Sequence, residues 1–244
     1  MRLIRCSCID STNRYLRDYH PTTDDDIVVV TADFQTAGKG CGKNVWESEA
    51  GKNLLFSILV HPIEVPASHQ FLLSMAGGLA LYEVLSSYAD GFSLKWPNDV
   101  YWKDRKISGT LIETKLSGGL IKDCIFGIGL NVNQQVFVSD APNPVSLCQI
   151  LDRNVSTDEV LDKILLSFRK YYERVIAGDE DGILENYLQQ LYRREGVYQY
   201  RDAEGLFEAE IIRVEPTGIL ILRDVKGTIR KYAFKEVEFI IDKS

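Results

Sequence analysis

The 244-residue sequence predicts an α+β protein: a mixed, mainly antiparallel sheet packed by helices, followed by a small β-barrel. Three observations lead there. β-branched and apolar runs at residues 3–9, 27–31, 53–60 and 121–132 read as strands bounded by turn residues. Residues 68–88 place Phe71, Leu72, Met75, Leu79, Tyr82 and Leu85 at helical spacing. After Arg194-Glu195-Gly196 the pattern changes to five short strands, at 197–201, 206–214, 218–223, 228–234 and 237–241. The boundary expected from that change divides the chain into residues 1–194, a catalytic-sized domain, and 195–244, a small SH3-like domain.

Composition narrows the function. With 45% apolar residues the chain can bury a sizeable core, and 28 Lys and Arg against 35 Asp and Glu leave a formal charge of −7. Non-specific binding to nucleic acid is disfavoured, because phosphate contacts need a clustered excess of cations. Five cysteines, odd in number and without a Cys-x-x-Cys pair, suit a reducing cytoplasm better than a disulfide framework or a zinc site. Residues 1–8 hold two arginines and no apolar core, so they are no secretory signal; the most apolar stretch, 71–85, contains Gly77, Gly78 and Glu83 and is too short to span a bilayer. No membrane partner is expected.

Taken in order, the first strand ends at Asp10-Ser11-Thr12-Asn13, where Asp10 or Ser11 is a good N-cap for a helix running through Tyr15, Leu16 and Tyr19. Between residues 33 and 48, Gly38, Gly40 and Gly42 alternate with Lys39, Cys41 and Lys43. Such a loop lets backbone amides approach a ligand and two lysines favour an anion, although surface loops often look like this and the spacing is not that of a P-loop. The Gly77-Gly78 pair inside the long helix implies close packing, most simply against the sheet. Residues 95–113 form a hairpin: two β-type runs flank a charged turn at Lys103–Arg105, and Pro97-Asn98-Asp99 makes a stiff corner. Lys95, Asn98, Asp99 and Lys106 can then converge on one side, an arrangement that suits an anionic ligand or simply a solvated turn. A paired-glycine turn at Gly118-Gly119 leads into a strand holding Gly127-Ile128-Gly129-Leu130-Asn131-Val132; glycines within a strand signal a bulge or a close approach of another group. Residues 134–144 read as loop. Ser156-Thr157-Asp158-Glu159 opens a helix with Val160, Ile164, Phe168, Tyr171 and Val175 on one face, and a further helix is expected over residues 181–192.

The run Lys95-Trp96-Pro97-Asn98-Asp99, the Lys106-Ile107-Ser108-Gly109 that follows it and the downstream Gly127-x-Gly129-x-Asn131-Val132 resemble, in this order, the biotin protein ligases. The resemblance covers nearly the whole chain. It implies a catalytic domain of the class II aminoacyl-tRNA synthetase-like fold with an SH3-like C-terminal domain. It also implies an ATP-dependent, AMP-forming ligase that makes biotinoyl-5′-adenylate from biotin and ATP with Mg²⁺ and passes biotin to a lysine of a biotin carboxyl carrier protein or carboxylase carrier domain. By resemblance, Ser11, Thr12, Asn13, Gln35, Gly38, Lys39, Lys106 and Gly109 fall to biotin, and Lys39, Lys43, Trp46, Lys95, Asn98 and Asn131 to ATP. On this reading Lys106 bridges the biotin carboxylate and the α-phosphate, and Asp99 orients the acceptor lysine or takes its proton, or else serves only the structure of the turn. Biotin's neutral, planar ureido ring needs neutral polar partners, which Ser11, Thr12 and Asn13 supply.

One segment departs from the family pattern. Its Gly-Arg-Gly-Arg-x-Gly-Arg-x-Trp loop matches Gly38 to Trp46 with Lys39 and Cys41 in the first two arginine places, and Lys43-Asn44 or, one residue shifted, Gly42-Lys43 at the later Gly-Arg. The bidentate fork of arginine is lost and point charge remains. The sequence begins without the DNA-binding helix-turn-helix of some family members, so no nucleic-acid partner or repressor role is expected, and a homodimer is left open. The rivals are a lipoate-protein ligase, with its similar Lys-Ile-Ser-Gly-like run, and a non-enzymatic biotin- or nucleotide-binding protein.

Overall fold

The computed structural model describes residues 1–20, 26–40, 45–138 and 143–241. Its strands are β1 (Arg2–Ile9), β2 (Ile27–Gln35), β3 (Leu54–Val60), β4 (Phe92–Lys95), β5 (Asp99–Trp102), β6 (Arg105–Ser117) and β7 (Leu120–Leu130), joined in one sheet of order β1-β2-β3-β7-β6-β5-β4. Only β1 and β2 pair in parallel; every other neighbour is antiparallel. The helices are α1 (Thr12–Arg17), α2 (Gln70–Ser86), α3 (Leu147–Leu151), α4 (Thr157–Ile176) and α5 (Glu180–Gln189).

The sheet is buried on one face and partly covered on the other, and side-chain alternation sorts its residues between them. Ile27, Val29, Leu54, Phe56, Ile58, Val60, Phe126 and Leu130 join the core formed with α2 and α4, whereas Val28, Val30, Leu59 and Ile125 pack against Leu16 of α1. The long helix can lie this close because a Cβ on Gly77 would already stand 3.2 Å from the Phe126 ring. On α4, Val160, Ile164, Phe168, Tyr171 and Val175 are all buried, and the Ser156 hydroxyl caps the helix by accepting from Glu159 N. The six-residue α1 covers only part of the second face. The remainder is left open by Gly109, Gly127 and Gly129, and there the cleft forms.

Helix α5 ends sooner than its sequence periodicity predicts. Beyond Gln189 the backbone pairs with the edge of β4: Leu94 N donates to Gln190 O at 2.7 Å and Tyr192 N to Leu94 O at 2.9 Å. Covering an exposed sheet edge outweighs another turn of helix. The short α3, outside the predicted elements, is held by a reciprocal capping box between Ser146 and Gln149.

The second sheet is antiparallel, of order β11-β10-β9-β8-β12, formed by β8 (Tyr198–Asp202), β9 (Gly205–Val214), β10 (Leu220–Asp224), β11 (Ile229–Tyr232) and β12 (Glu238–Phe239). These are the five short strands the sequence predicts for a small SH3-like unit. It meets the larger sheet at Trp96, whose Nε1 donates to Gly218 O at 2.9 Å, and at Arg193, whose guanidinium donates to Ile240 O at 2.7 Å.

Candidate functional site

One cross-strand row builds the cleft floor. Lys95 pairs with Asp99, Asp99 with Gly109, Gly109 with Gly129 and Gly129 with Leu55, so all five lie on one face of the sheet. In unbroken register Lys106, three residues before Gly109, would point to the opposite face. A bulge prevents this: Val100 faces Ser108 but Tyr101 faces Lys106, leaving Ile107 as an extra residue in β6. The bulge turns Lys106 onto the Asp99 side, where its Nζ lies 2.7 Å from Asp99 Oδ1. The carbonyl of the extra residue is satisfied by Asn131 N at 3.0 Å. Gly109 makes the close pair possible, since a Cβ there would stand 3.1 Å from Lys106 Nζ and 3.2 Å from Asp99 Oδ1.

At one end of the cleft neutral polar groups are locked to one another and, behind them, to an ion pair. Ser11 caps α1 and lines the cleft at once, its Oγ accepting from Arg14 N at 3.5 Å. Gln35 Oε1 accepts from Thr12 N at 2.7 Å, and Ser57 Oγ stands 2.7 Å from Thr12 Oγ1 and 2.6 Å from Asn13 Oδ1. Asn13 Nδ2 donates to Glu113 Oε2 at 3.1 Å, and Arg17 holds the other Glu113 oxygen at 2.7 Å. Gly127 admits this cluster: a Cβ there would stand 2.1 Å from Asn13 Oδ1. Such interlocking fixes which way each amide points and leaves the second Asn13 N–H for a ligand.

The other end is cationic and less satisfied. Lys95 forms no ion pair among the described residues; its Nζ lies 4.6 Å from the centroid of Phe239 and 5.4 Å from that of Tyr101, and burial lowers its pKa from the ordinary lysine value. Asn131 donates through Nδ2 to Val145 O at 3.1 Å, while its Oδ1 is buried without a partner. The Trp46 ring lies on Gly129, where a Cβ would come within 2.3 Å of it, and its indole N–H is likewise buried and unpartnered. An orphan acceptor and an orphan donor thus sit buried in two residues that line this part of the cleft.

The cleft, of about 1820 Å³, thus brings together Ser11, Thr12, Asn13, Gln35, Lys39, Trp46, Lys95, Asn98, Asp99, Lys106, Gly109 and Asn131. Gly38 is set apart: it is buried, and its carbonyl accepts from Trp46 N at 3.4 Å, closing the loop rather than walling the cleft. Lys39 is exposed and pairs with Val45 across that loop; Cys41, Lys43 and Asn44 lie outside the described residues. The Asn98 amide nitrogen donates to Thr110 O and Thr110 N returns to Asn98 O at 3.0 Å, stapling the corner to β6.

The sequence expectations omit Ser57, Arg17, Glu113 and Phe239 from the site. Ser57 had a signal, as the one polar residue in the otherwise apolar Leu54–Val60. Phe239 had none, because its place against Lys95 depends on how the two sheets dock.

Comparison with known proteins identifies the family. A family model described as the biotin/lipoate A/B protein ligase family matches residues 6–131. A bifunctional ligase/repressor of Bacillus spizizenii is 27% identical over 240 residues, spanning 95% of this chain and 72% of the relative. A biotin–[acetyl-CoA-carboxylase] ligase of Paracoccus denitrificans is 28% identical over 212 residues, 81% of this chain and 85% of its own. The biotin protein ligase of Aquifex aeolicus, solved in complex with biotin and ATP, superposes with a TM-score of 0.81 at 26% identity over 99% of each chain. The matched segment takes in just over half of the sequence, including α1 and the row from Lys95 to Gly129, and the chain belongs to the biotin/lipoate A/B protein ligase family.

Proposed function

We propose that this chain is a biotin protein ligase that joins biotin to ATP, releasing pyrophosphate, and then transfers the biotinoyl group from the adenylate to a lysine of a carrier domain, releasing AMP. One observation carries the reading: the bulge-directed Lys106, beside the bare Gly109, stands between a neutral polar pocket and a cationic end. A carboxylate attacking the α-phosphorus brings two anions together, so a cation fixed between them is the chief requirement, and no protein nucleophile is needed.

The neutral pocket of Ser11, Thr12, Asn13 and Gln35, with Ser57 behind them, takes the ureido ring of biotin. Gly109 leaves room for the ring system, Gly38 ties its loop to Trp46, and Lys39 supplies charge at the mouth. Lys106 contacts the biotin carboxylate and the α-phosphate. Lys95 and Lys39 face the triphosphate, to which Lys43, outside the described residues, is also assigned by resemblance; Asn131 and Trp46 face the nucleotide, and Asn98 holds the corner from which Asp99 reaches the site. The Mg²⁺ arrives on ATP as part of that substrate. In the second step the amine of the carrier lysine attacks the acyl carbonyl and Asp99, already oriented by Lys106, takes its proton. Residues 1–194 form the catalytic unit and 195–244 the C-terminal one. We take the cytoplasm as the compartment, which the free thiols of Cys6, Cys8, Cys124 and Cys148 support.

The test mixes the purified protein with ATP, Mg²⁺ and either biotin or lipoate and measures acyl-adenylate. Biotinoyl-adenylate should form, and lipoyl-adenylate should not. Preference for lipoate would make this a lipoate ligase, and binding without adenylate formation would leave a ligand-binding protein only.

A further inference from the structure

Lys95 is an unusual cation. It is half-buried, it lines the cleft, and the nearest carboxylate on its own hairpin, Asp99, is committed to Lys106. What holds it is aromatic, one ring from each sheet: Tyr101 on β5 and Phe239 on β12. Those rings belong to a longer column. Tyr101 packs on Tyr192 at 5.4 Å between centroids, Tyr192 on Phe239 at 6.4 Å, Phe239 on Tyr200 at 5.0 Å and Tyr200 on Phe207 at 5.9 Å. The column runs from the active-site hairpin through the C-terminal sheet. The ammonium therefore sits where the two sheets meet, attracted by ring faces that orient it without neutralising it. A cation held by ring faces rather than by an ion pair has no bound carboxylate to give up before it meets an incoming anion.

We propose that Phe239 is a positioning residue for adenylation: its ring holds the Lys95 ammonium at the cleft, so that docking of the C-terminal sheet sets how firmly the β- and γ-phosphates of ATP are gripped. This rests on the reading that Lys95 meets the triphosphate. As the bond from the biotin carboxylate oxygen to the α-phosphorus forms, the bond to the bridging oxygen breaks and its electron pair leaves on pyrophosphate. Lys95 faces that growing charge, and the later attack of the carrier lysine on the adenylate does not involve it.

The experiment measures biotin-dependent pyrophosphate release at varied ATP for the full chain and for Phe239→Leu, Phe239→Tyr, Lys95→Gln and the double variant Phe239→Leu/Lys95→Gln. It also measures single-turnover transfer from preformed biotinoyl-adenylate to a carrier domain. Phe239→Leu should raise the KM for ATP roughly ten-fold, leave the KM for biotin and the transfer step unchanged, and add nothing in the Lys95→Gln background. Phe239→Tyr, which keeps the ring, should behave as the unaltered protein. Slowing of transfer by Phe239→Leu as large as that of adenylation, or an effect that multiplies with Lys95→Gln, would mean the ring acts only through folding and would overturn the proposal. If Lys95→Gln raises the KM for ATP and Phe239→Leu does not, the positioning role alone fails; if Lys95→Gln leaves it unchanged, the reading of Lys95 fails with it.

Discussion

Lys95 and Lys106 stand on one cleft wall in opposite circumstances. Lys106 is paired with Asp99 at 2.7 Å, whereas Lys95 rests on aromatic faces and burial lowers its pKa. The groups acting on Lys95 are Asp99 and Glu238, which favour its charge, and Lys106 and Arg193, which oppose it; desolvation outweighs them all. Because the charged form is the disfavoured one, Lys95 loses its proton at a lower pH than an ordinary lysine. Its grip on ATP is present below that folded-state pKa and lost as pH rises through it. The kcat/KM for ATP, which reports the free enzyme, should therefore fall with rising pH before the ordinary lysine range is reached, and the fall should be absent in Lys95→Gln. A profile identical in the two proteins would remove Lys95 from the triphosphate.

The two glycines of β7 separate the two ends of the cleft at the level of the element. A methyl group at Gly127 would collide with Asn13, which is buried and held by Ser57 and Glu113, so it has nowhere to move. At Gly129 it would meet the Trp46 ring, whose N–H has no hydrogen-bond partner to hold the ring in place. Gly127→Ala should thus cost about 1–3 kcal/mol of stability and raise the KM for biotin. Gly129→Ala should leave stability nearly unchanged and raise the KM for ATP. Denaturant unfolding and steady-state kinetics on both variants check the contrast. The sequence made the close approach legible, since glycines inside a strand announce it, and also the hairpin, through Pro97 and the charged turn. The bulge at Ile107 was not legible, because the pairing of β5 with β6 decides it and neither strand encodes it alone. Yet that bulge is what brings Lys106 to Asp99, which the motif spacing only suggested.

The molecule as a whole is two sheets sharing a site. The five strands after Tyr198 could be read from their turns, but not what they touch, because contacts between distant segments leave no local pattern. The Lys-Trp-Pro-Asn-Asp run serves both sheets: Lys95 and Asp99 face the cleft, while Trp96 is buried in the core and donates to Gly218 O. Trp96→Phe, which removes that donor and leaves a buried carbonyl short of a partner, should lower stability by about 1 kcal/mol, read from the midpoint of denaturant unfolding. The central claim, that biotin and ATP are joined at Lys106, is tested most directly by biotin-dependent pyrophosphate release in the full chain and in Lys106→Ala with its fold verified. Loss of a charged contact to the transition state is worth on the order of 3 kcal/mol, so release should slow by about a hundred-fold or more; release at an undiminished rate would contradict the account.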